Sequence, residues 1–260
     1  VTSSLRAGPL RARRTAGGKL LAVLAAFSRE RPTLTLSEIA RTVDVPLSTA
    51  HRLVGELTRW GALDRDADGR FRIGLRIWEL GALAPPALGL REAALPFMGD
   101  LYEVTHQNVQ LAVRDGDEVV FVERIAGRDA VNVLTQVGGR FALPPTGVGL
   151  VLLAHAPAEV QEHVLAGPLT AYTQHTITDA RQLRRVLAEV RRSGMAVSDR
   201  QVTEDAVSVA APIEVRGAVV AALSIVVRGS SPAAVRSYAP GVRAAALGIG
   251  RILASTSTRS

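Results

Sequence analysis

The chain has no cysteine among its 260 residues. Disulfides and thiolate metal sites are therefore excluded, and a reducing compartment is allowed. Lysine is almost missing as well: Lys19 stands alone, so thirty of the 31 basic side chains are arginine. Aromatic residues are scarce at 4%, but apolar residues reach 47%, which rules out disorder throughout. No apolar run approaches the ~20 residues of a membrane span. The segment Leu20–Phe27, preceded by Arg11, Arg13, Arg14 and Lys19, has the look of a signal-peptide core. It is short for one, and Ser28-Arg29-Glu30-Arg31 follows where small residues should lead to cleavage. A helix of a soluble, cytoplasmic protein is the expectation, with no membrane partner.

Motifs for catalysis are also missing. There is no G-x-S-x-G elbow and no H-E-x-x-H pair. The lone lysine follows Gly18 without the spacing of a phosphate-binding loop, and Gly147-Val148-Gly149 lacks the third glycine of a dinucleotide fingerprint. The histidines, at 51, 106, 155, 163 and 175, show no metal-ligand spacing. His155 and His163 read as surface or capping residues. Neither an enzyme nor a cofactor or metal is expected, although a catalytic set drawn from distant residues would escape such a search.

What is present is an uneven charge. Residues 1–80 hold 14 Arg/Lys against 8 Asp/Glu, and residues 81–260 hold 17 against 16. A basic first third joined to a near-neutral remainder suggests a polyanion-binding module and a second module with another task. Charge alone does not separate nucleic acid from an anionic membrane. Residues 1–18, rich in Arg, Gly, Ser and Ala, read as a flexible basic arm.

Periodicity then resolves the first module, placed at residues 19–76. Lys19–Ser28 reads as a helix. Thr35-Leu36-Ser37-Glu38 fits a capping box opening a second helix with Leu36, Ile39, Ala40 and Val43 on one face. Pro46 suits the first turn of a third, whose Ala50, Leu53, Val54 and Leu57 form a single stripe, ended by Gly61. Ala62–Arg65 and Arg70–Ile73 flank Asp66-Ala67-Asp68-Gly69, a hairpin with Phe71 and Ile73 on one face and Arg70 and Arg72 on the other. Three helices and a hairpin describe a winged helix-turn-helix, which lays its recognition helix in the major groove. Ser48, Thr49, His51 and Arg52 then form the DNA-facing end. The alternative is the solvated face of an ordinary three-helix bundle.

Residues 77–92 are expected to be a linker, with Pro85-Pro86 dividing a helix at Leu75–Leu83 from a longer one at Arg91–His106. Residues 93–260 change character. Strands are expected at Asn108–Val113, Val119–Arg124, Val131–Val137, Ser208–Val215 and Ala218–Val227. Helices are expected at Thr146–Ala154, Ala158–Leu165 and Asp179–Arg192, the last capped by Thr178 and ended by Gly194. Strands, helices between them and a terminal hairpin indicate an α+β domain with an antiparallel sheet. In "RFALPPTGVGLVLLA" (140–154), Thr146, Gly147 and Gly149 stand at the mouth of a helix, whose free N–H groups receive anions. Ser208 and Ser224 sit on late strands among apolar neighbours, where a hydroxyl orients a ligand's oxygen while the wall excludes water. Glycine at helix starts and serine on strands are also ordinary structural choices.

Four stretches in order carry a resemblance: "LTLSEIARTVDVPLSTAHRLVGELTRWGAL", "GRFRIGLRIWELG", "VGGRFALPPTGVGLVLLA" and "DAVSVAAPIEVRGAVVAALSIVV". From about residue 19 the chain resembles the isocitrate lyase regulator (IclR) family of bacterial transcription factors. That resemblance implies an N-terminal winged helix-turn-helix, a linker helix and a C-terminal GAF/PAS-like effector domain with an antiparallel sheet. It also implies homodimers, often paired into tetramers, bound to double-stranded operator DNA. Affinity for DNA would change with a small organic or aromatic acid. Carried over by position, Ser48, Thr49 and Arg52 read DNA with His51 alongside; Arg41, Arg70 and Arg72 are further DNA-binding candidates by their charge. The effector pocket would involve Gly147, Val148, Ser198, Asp199, Ser208 and Ser224. Pro145 stands where the family commonly has a histidine, Leu150 where a lysine is usual, and Gln201 where an acidic residue is common. These departures bear on the ligand, not on the fold.

Overall fold

The computed structural model describes residues 15–28, 30–83, 85–127, 135–229 and 232–256. The basic arm up to residue 14 and most of the Val131–Val137 run therefore lie outside the described residues. The chain divides into two compact units, residues 1–88 and 89–260.

The first unit runs α1 (Ala16–Leu24), β1 (Thr33–Leu34), α2 (Leu36–Val43), α3 (Leu47–Trp60), β2 (Leu63–Arg65), β3 (Phe71–Ile73) and α4 (Leu75–Gly81). α1 begins three residues earlier than periodicity suggests, because the Thr15 hydroxyl accepts from the Gly18 N–H and caps it. The capping box forms as read. Glu38 N–H donates to Thr35 Oγ1 at 3.3 Å, and Thr35 N–H donates to Glu38 Oε2 at 2.7 Å. Asp44, in the left-handed region at φ 57°, turns the chain between α2 and α3. Pro46 is the cap of α3 rather than part of its first turn, and Gly61 ends the helix at φ 87°. The stripe Ala50, Leu53, Val54 and Leu57 is buried against Val23, Ile39, Leu63 and Phe71. The hairpin gains a third strand, in the order β1-β3-β2. Only Phe71 of its apolar pair reaches the core; Ile73 ends the strand and is exposed.

α5 (Pro85–Thr105) spans the boundary between the two units. This helix starts at the two prolines, six residues before the expected Arg91. A proline's missing N–H costs nothing in a first turn, so the pair initiates α5 instead of interrupting it. There follow β4 (Asn108–Asp115), β5 (Glu118–Ile125), β6 (Arg140–Ala142), α6 (Gly147–Ala154), α7 (Ala158–Ala166), α8 (Ala180–Ser193), β7 (Ala196–Asp199), β8 (Ala206–Val215), β9 (Ala218–Arg228), α9 (Pro232–Arg236) and α10 (Ala239–Thr256). Asp179, not Thr178, caps α8. The strands make one antiparallel sheet in the order β6-β5-β4-β9-β8-β7.

Strand alternation sorts the sheet's two faces. Val207, Val209 and Ala211 of β8 and Leu223, Ile225 and Val227 of β9 pack with α5 and α10. Ala210 and Ala222 pack with α6 and α8 on the other side. The chain does not end on a hairpin: α10 follows and buries Val242, Ala246 and Ile249. It lies so close to β8 that a Cβ on Gly250 would come within 2.4 Å of the Glu214 carbonyl. All eight residues of α6 are buried, which explains why that helix shows no amphipathic period.

Candidate nucleic-acid interface and ligand cavity

In the first unit, packing of the α3 stripe turns the opposite side outward. Ser48, His51 and Arg52 are exposed and Thr49 is half-buried. Arg52 Nη1 donates to Glu56 Oε1 at 2.7 Å, one turn on. Such an exposed i,i+4 pair is worth about 0.3–0.5 kcal/mol, so Arg52 gives it up readily to a stronger anion. Arg41 is exposed in the last turn of α2. Arg72, on the wing, has only a long contact with Asp64, at 3.8 Å. Arg70 is different. Its Nε donates to Thr33 Oγ1 at 3.1 Å, and its Nη2 to Thr33 O at 3.2 Å and Glu38 Oε2 at 3.3 Å. It fastens the wing to the start of α2. The Thr35 N–H and hydroxyl, and then the charges of Arg70 and Arg41, hold the Glu38 carboxyl below the usual glutamate range.

In the second unit, register brings polar side chains into adjacent rows of an apolar sheet. One row runs Ser198–Ser208–Val226, and its neighbour runs Ala210–Ser224–Gln110. Gln110 Nε2 donates to Thr135 Oγ1 at 2.7 Å, and Ser198 Oγ donates to the Pro145 carbonyl at 2.7 Å. The first turn of α6 sits over these rows. Gly147 makes that approach possible, since a Cβ there would lie 2.6 Å from Ser208 Oγ. Thr146 caps the helix, accepting from Gly149 N–H with its hydroxyl and from Leu150 N–H with its carbonyl. The N–H groups of Gly147 and Val148 precede the intrahelical bonding pattern and have no helical partner.

Between sheet and helix lies a cavity with about 440 Å³ of atom-free space, part of it open to solvent. Gly147, Val148, Ser198, Ser208 and Ser224 all line it, so five of the six residues singled out by sequence come together. Asp199 does not. Alternation along β7 turns it away from Ser198, and it pairs with Arg200 Nε at 2.8 Å, which lowers its pKa. Gln110, Thr135, Val202, Thr203 and Val226 also line the cavity and were not foreseen. For Gln110 a signal existed: Asn108 and Gln110 are polar at alternate positions of a buried strand. Among the described residues the buried Thr203 Oγ1 has no hydrogen-bond partner. No charged side chain lines the cavity among the described residues.

Residues 85–251 match the family model described as the bacterial transcriptional regulator IclR C-terminal domain, and residues 18–67 match the IclR helix-turn-helix domain. The chain belongs to the IclR family. It is 32% identical over 196 residues to the HTH-type transcriptional regulator KipR of Bacillus subtilis, covering 75% of this chain and 78% of that one. It is 27% identical over 210 residues to the regulator XynR of Escherichia coli, covering 80% of this chain and 83% of the relative. Among solved structures, an IclR homolog from Microbacterium hydrocarbonoxydans, complexed with 4-hydroxybenzoate, superposes with a TM-score of 0.88. The two are 39% identical, over 91% of this chain and 98% of the other. The chain is an IclR-type transcriptional regulator with a helix-turn-helix DNA-binding domain. Among the described residues no helix is long and apolar enough to cross a membrane.

Proposed function

We propose that this IclR-family regulator reads palindromic operator DNA with the N-terminal half of α3. Its affinity is then set by a small organic acid, an aromatic one above all, held in the second unit's cavity. The observation that carries this reading is a buried set of uncharged hydroxyl and amide groups ending at a helix N-terminus. The N–H groups of Gly147 and Val148 suit a carboxylate. The apolar walls of Val148, Val202 and Val226 suit a ring, and Ser198, Ser208 and Ser224 suit its polar substituents. The likeness to a structure that holds 4-hydroxybenzoate supports the same class. Because the ligand moves an equilibrium only by its differential affinity, it must favour one DNA-binding arrangement over another.

In the same proposal Ser48, Thr49, His51 and Arg52 supply base contacts and register. Arg41 and Arg72 attract phosphate, while Arg70, tied to Thr33 and Glu38, holds the wing in place. The head spans residues 19–76, residues 77–92 join it to the rest, and residues 93–260 bind effector. A homodimer, pairing into tetramers, completes the reading. α4 supports it: the helix buries none of its residues while Leu75, Trp78 and Leu80 are exposed.

The test is calorimetric titration of the full chain with 4-hydroxybenzoate and small carboxylates, beside gel shift on its upstream DNA. Saturable heat and a ligand-dependent change in DNA affinity are expected. Operator binding without any ligand effect would remove the effector half. Failure to retain any duplex at low salt would remove the other.

A further inference from the structure

A second cavity lies on the same face of the sheet, at the other end of α6. Alternation along β4 puts Arg114 on the side of Gln110 and Ala112. Arg191 comes from the last turn of α8, and His155 follows α6. With the β8–β9 turn at Gly217 and Ala218 they bound an open bowl of about 1100 Å³, mouth included. α6 has eight residues, so about 12 Å of helix separates this bowl from the first cavity.

Several arginines of this unit meet carboxylates: Arg91 pairs with Glu123, Arg140 with Asp115 and Glu118, Arg184 with Glu162, and Arg200 with Asp199. Arg114 and Arg191 rest on neutral acceptors instead. Arg114 Nη1 donates to the Gly116 carbonyl at 2.8 Å. Arg191 Nη1 donates to the Ala154 carbonyl at 3.1 Å and to Gln161 Oε1 at 3.3 Å. Among the described residues neither has a carboxylate partner, and no Asp or Glu lines the bowl. The carbonyl end of a helix repels anions. Here Ala154 O is already covered by Arg191 and by Gln161 Nε2, at 3.4 Å.

We infer that this bowl binds a small oxyanion of at least two negative charges, phosphoryl or dicarboxylate, through the guanidiniums of Arg114 and Arg191. Each guanidinium keeps N–H donors in a planar fork that matches two oxygens of one oxyanion. A second charge on the ligand compensates the second arginine, which a monocarboxylate leaves unmatched. The inference stands on this bowl alone and is independent of what the first cavity binds.

The experiment follows backbone amide signals of the ¹⁵N-labelled full chain during separate titrations with inorganic phosphate, malonate and acetate. Signals of Ala156, Gly217 and Ala218 should move saturably with phosphate or malonate, and whichever binds more tightly names the ligand class. Arg114→Gln should weaken that binding about tenfold or more, the size of one lost charge-assisted hydrogen bond. Arg191→Lys keeps the charge, loses the fork and should also weaken it, whereas Arg236→Gln, at an arginine that does not line the bowl, should not. Amides that stay still, that respond equally to acetate, or that titrate unchanged in Arg114→Gln would overturn the site.

Discussion

Adding one methyl group at Gly147 tests how the first cavity is built. An alanine Cβ there would lie 2.6 Å from Ser208 Oγ and 3.5 Å from Ala210 Cβ. The second contact is ordinary; the first is well inside van der Waals distance, so Ser208 Oγ must rotate away or α6 must lift. Overpacking of this kind costs about 1–3 kcal/mol, offset by about 1 kcal/mol from replacing glycine in a helix. The net is a loss of about 0–2 kcal/mol. At roughly 2–4 °C per kcal/mol for a unit of this size, Tm should fall by up to about 8 °C. Ligand affinity should suffer more, because the methyl displaces a hydroxyl that lines the cavity. Losing one hydrogen bond of about 0.5–1.5 kcal/mol weakens binding roughly two- to twelve-fold, before any steric loss. Calorimetric titration with 4-hydroxybenzoate and thermal melts, in a double-mutant cycle with Ser208→Ala, separate the causes. Once Oγ is gone the clash is gone, so Gly147→Ala should be neutral or stabilising in that background. If it destabilises equally with and without the Ser208 hydroxyl, the contact named here is not what constrains position 147.

Three further outcomes are expected. Arg52→Ala should cost about 1–3 kcal/mol of operator affinity and relax preference at one base position; a uniform loss over all sequences, with a reduced salt slope, would mark a phosphate contact instead. Gly149→Ala should be far worse for stability than Gly147→Ala, since its Cβ would meet the Leu143 carbonyl at 2.0 Å, and backbone cannot rotate aside; equal melting of the two variants would contradict this. Glu38 has a depressed pKa in the folded head, so its contribution is present above the ordinary glutamate pKa and lost as pH falls through the lowered value. Glu38→Gln should therefore flatten the acid limb of a pH–stability profile, and an unchanged limb would show that the capping box does not set it.

Local chemistry made the head readable in one dimension. Thr35 and Glu38 cap each other within four residues, Gly61 supplies the left-handed stop, and Ala50, Leu53, Val54 and Leu57 fall on one stripe. Each of those features depends on neighbours in sequence, so the chain alone determined the helix-turn-helix and which side of α3 faces out. The second unit was less legible. α6 is buried on all sides and carries no period, and α10, rich in alanine and glycine, has a stripe too weak to find. The cavity belongs to tertiary structure outright. Ser198, Ser208, Ser224 and Gln110 meet only because four strands pair in one register, and a shift of one residue would send their side chains to the opposite face. The same rule removed Asp199, next to Ser198 in sequence but on the other side of β7. Cross-strand register is a long-range property, set by packing on both faces of the sheet, and so only the folded chain could decide it.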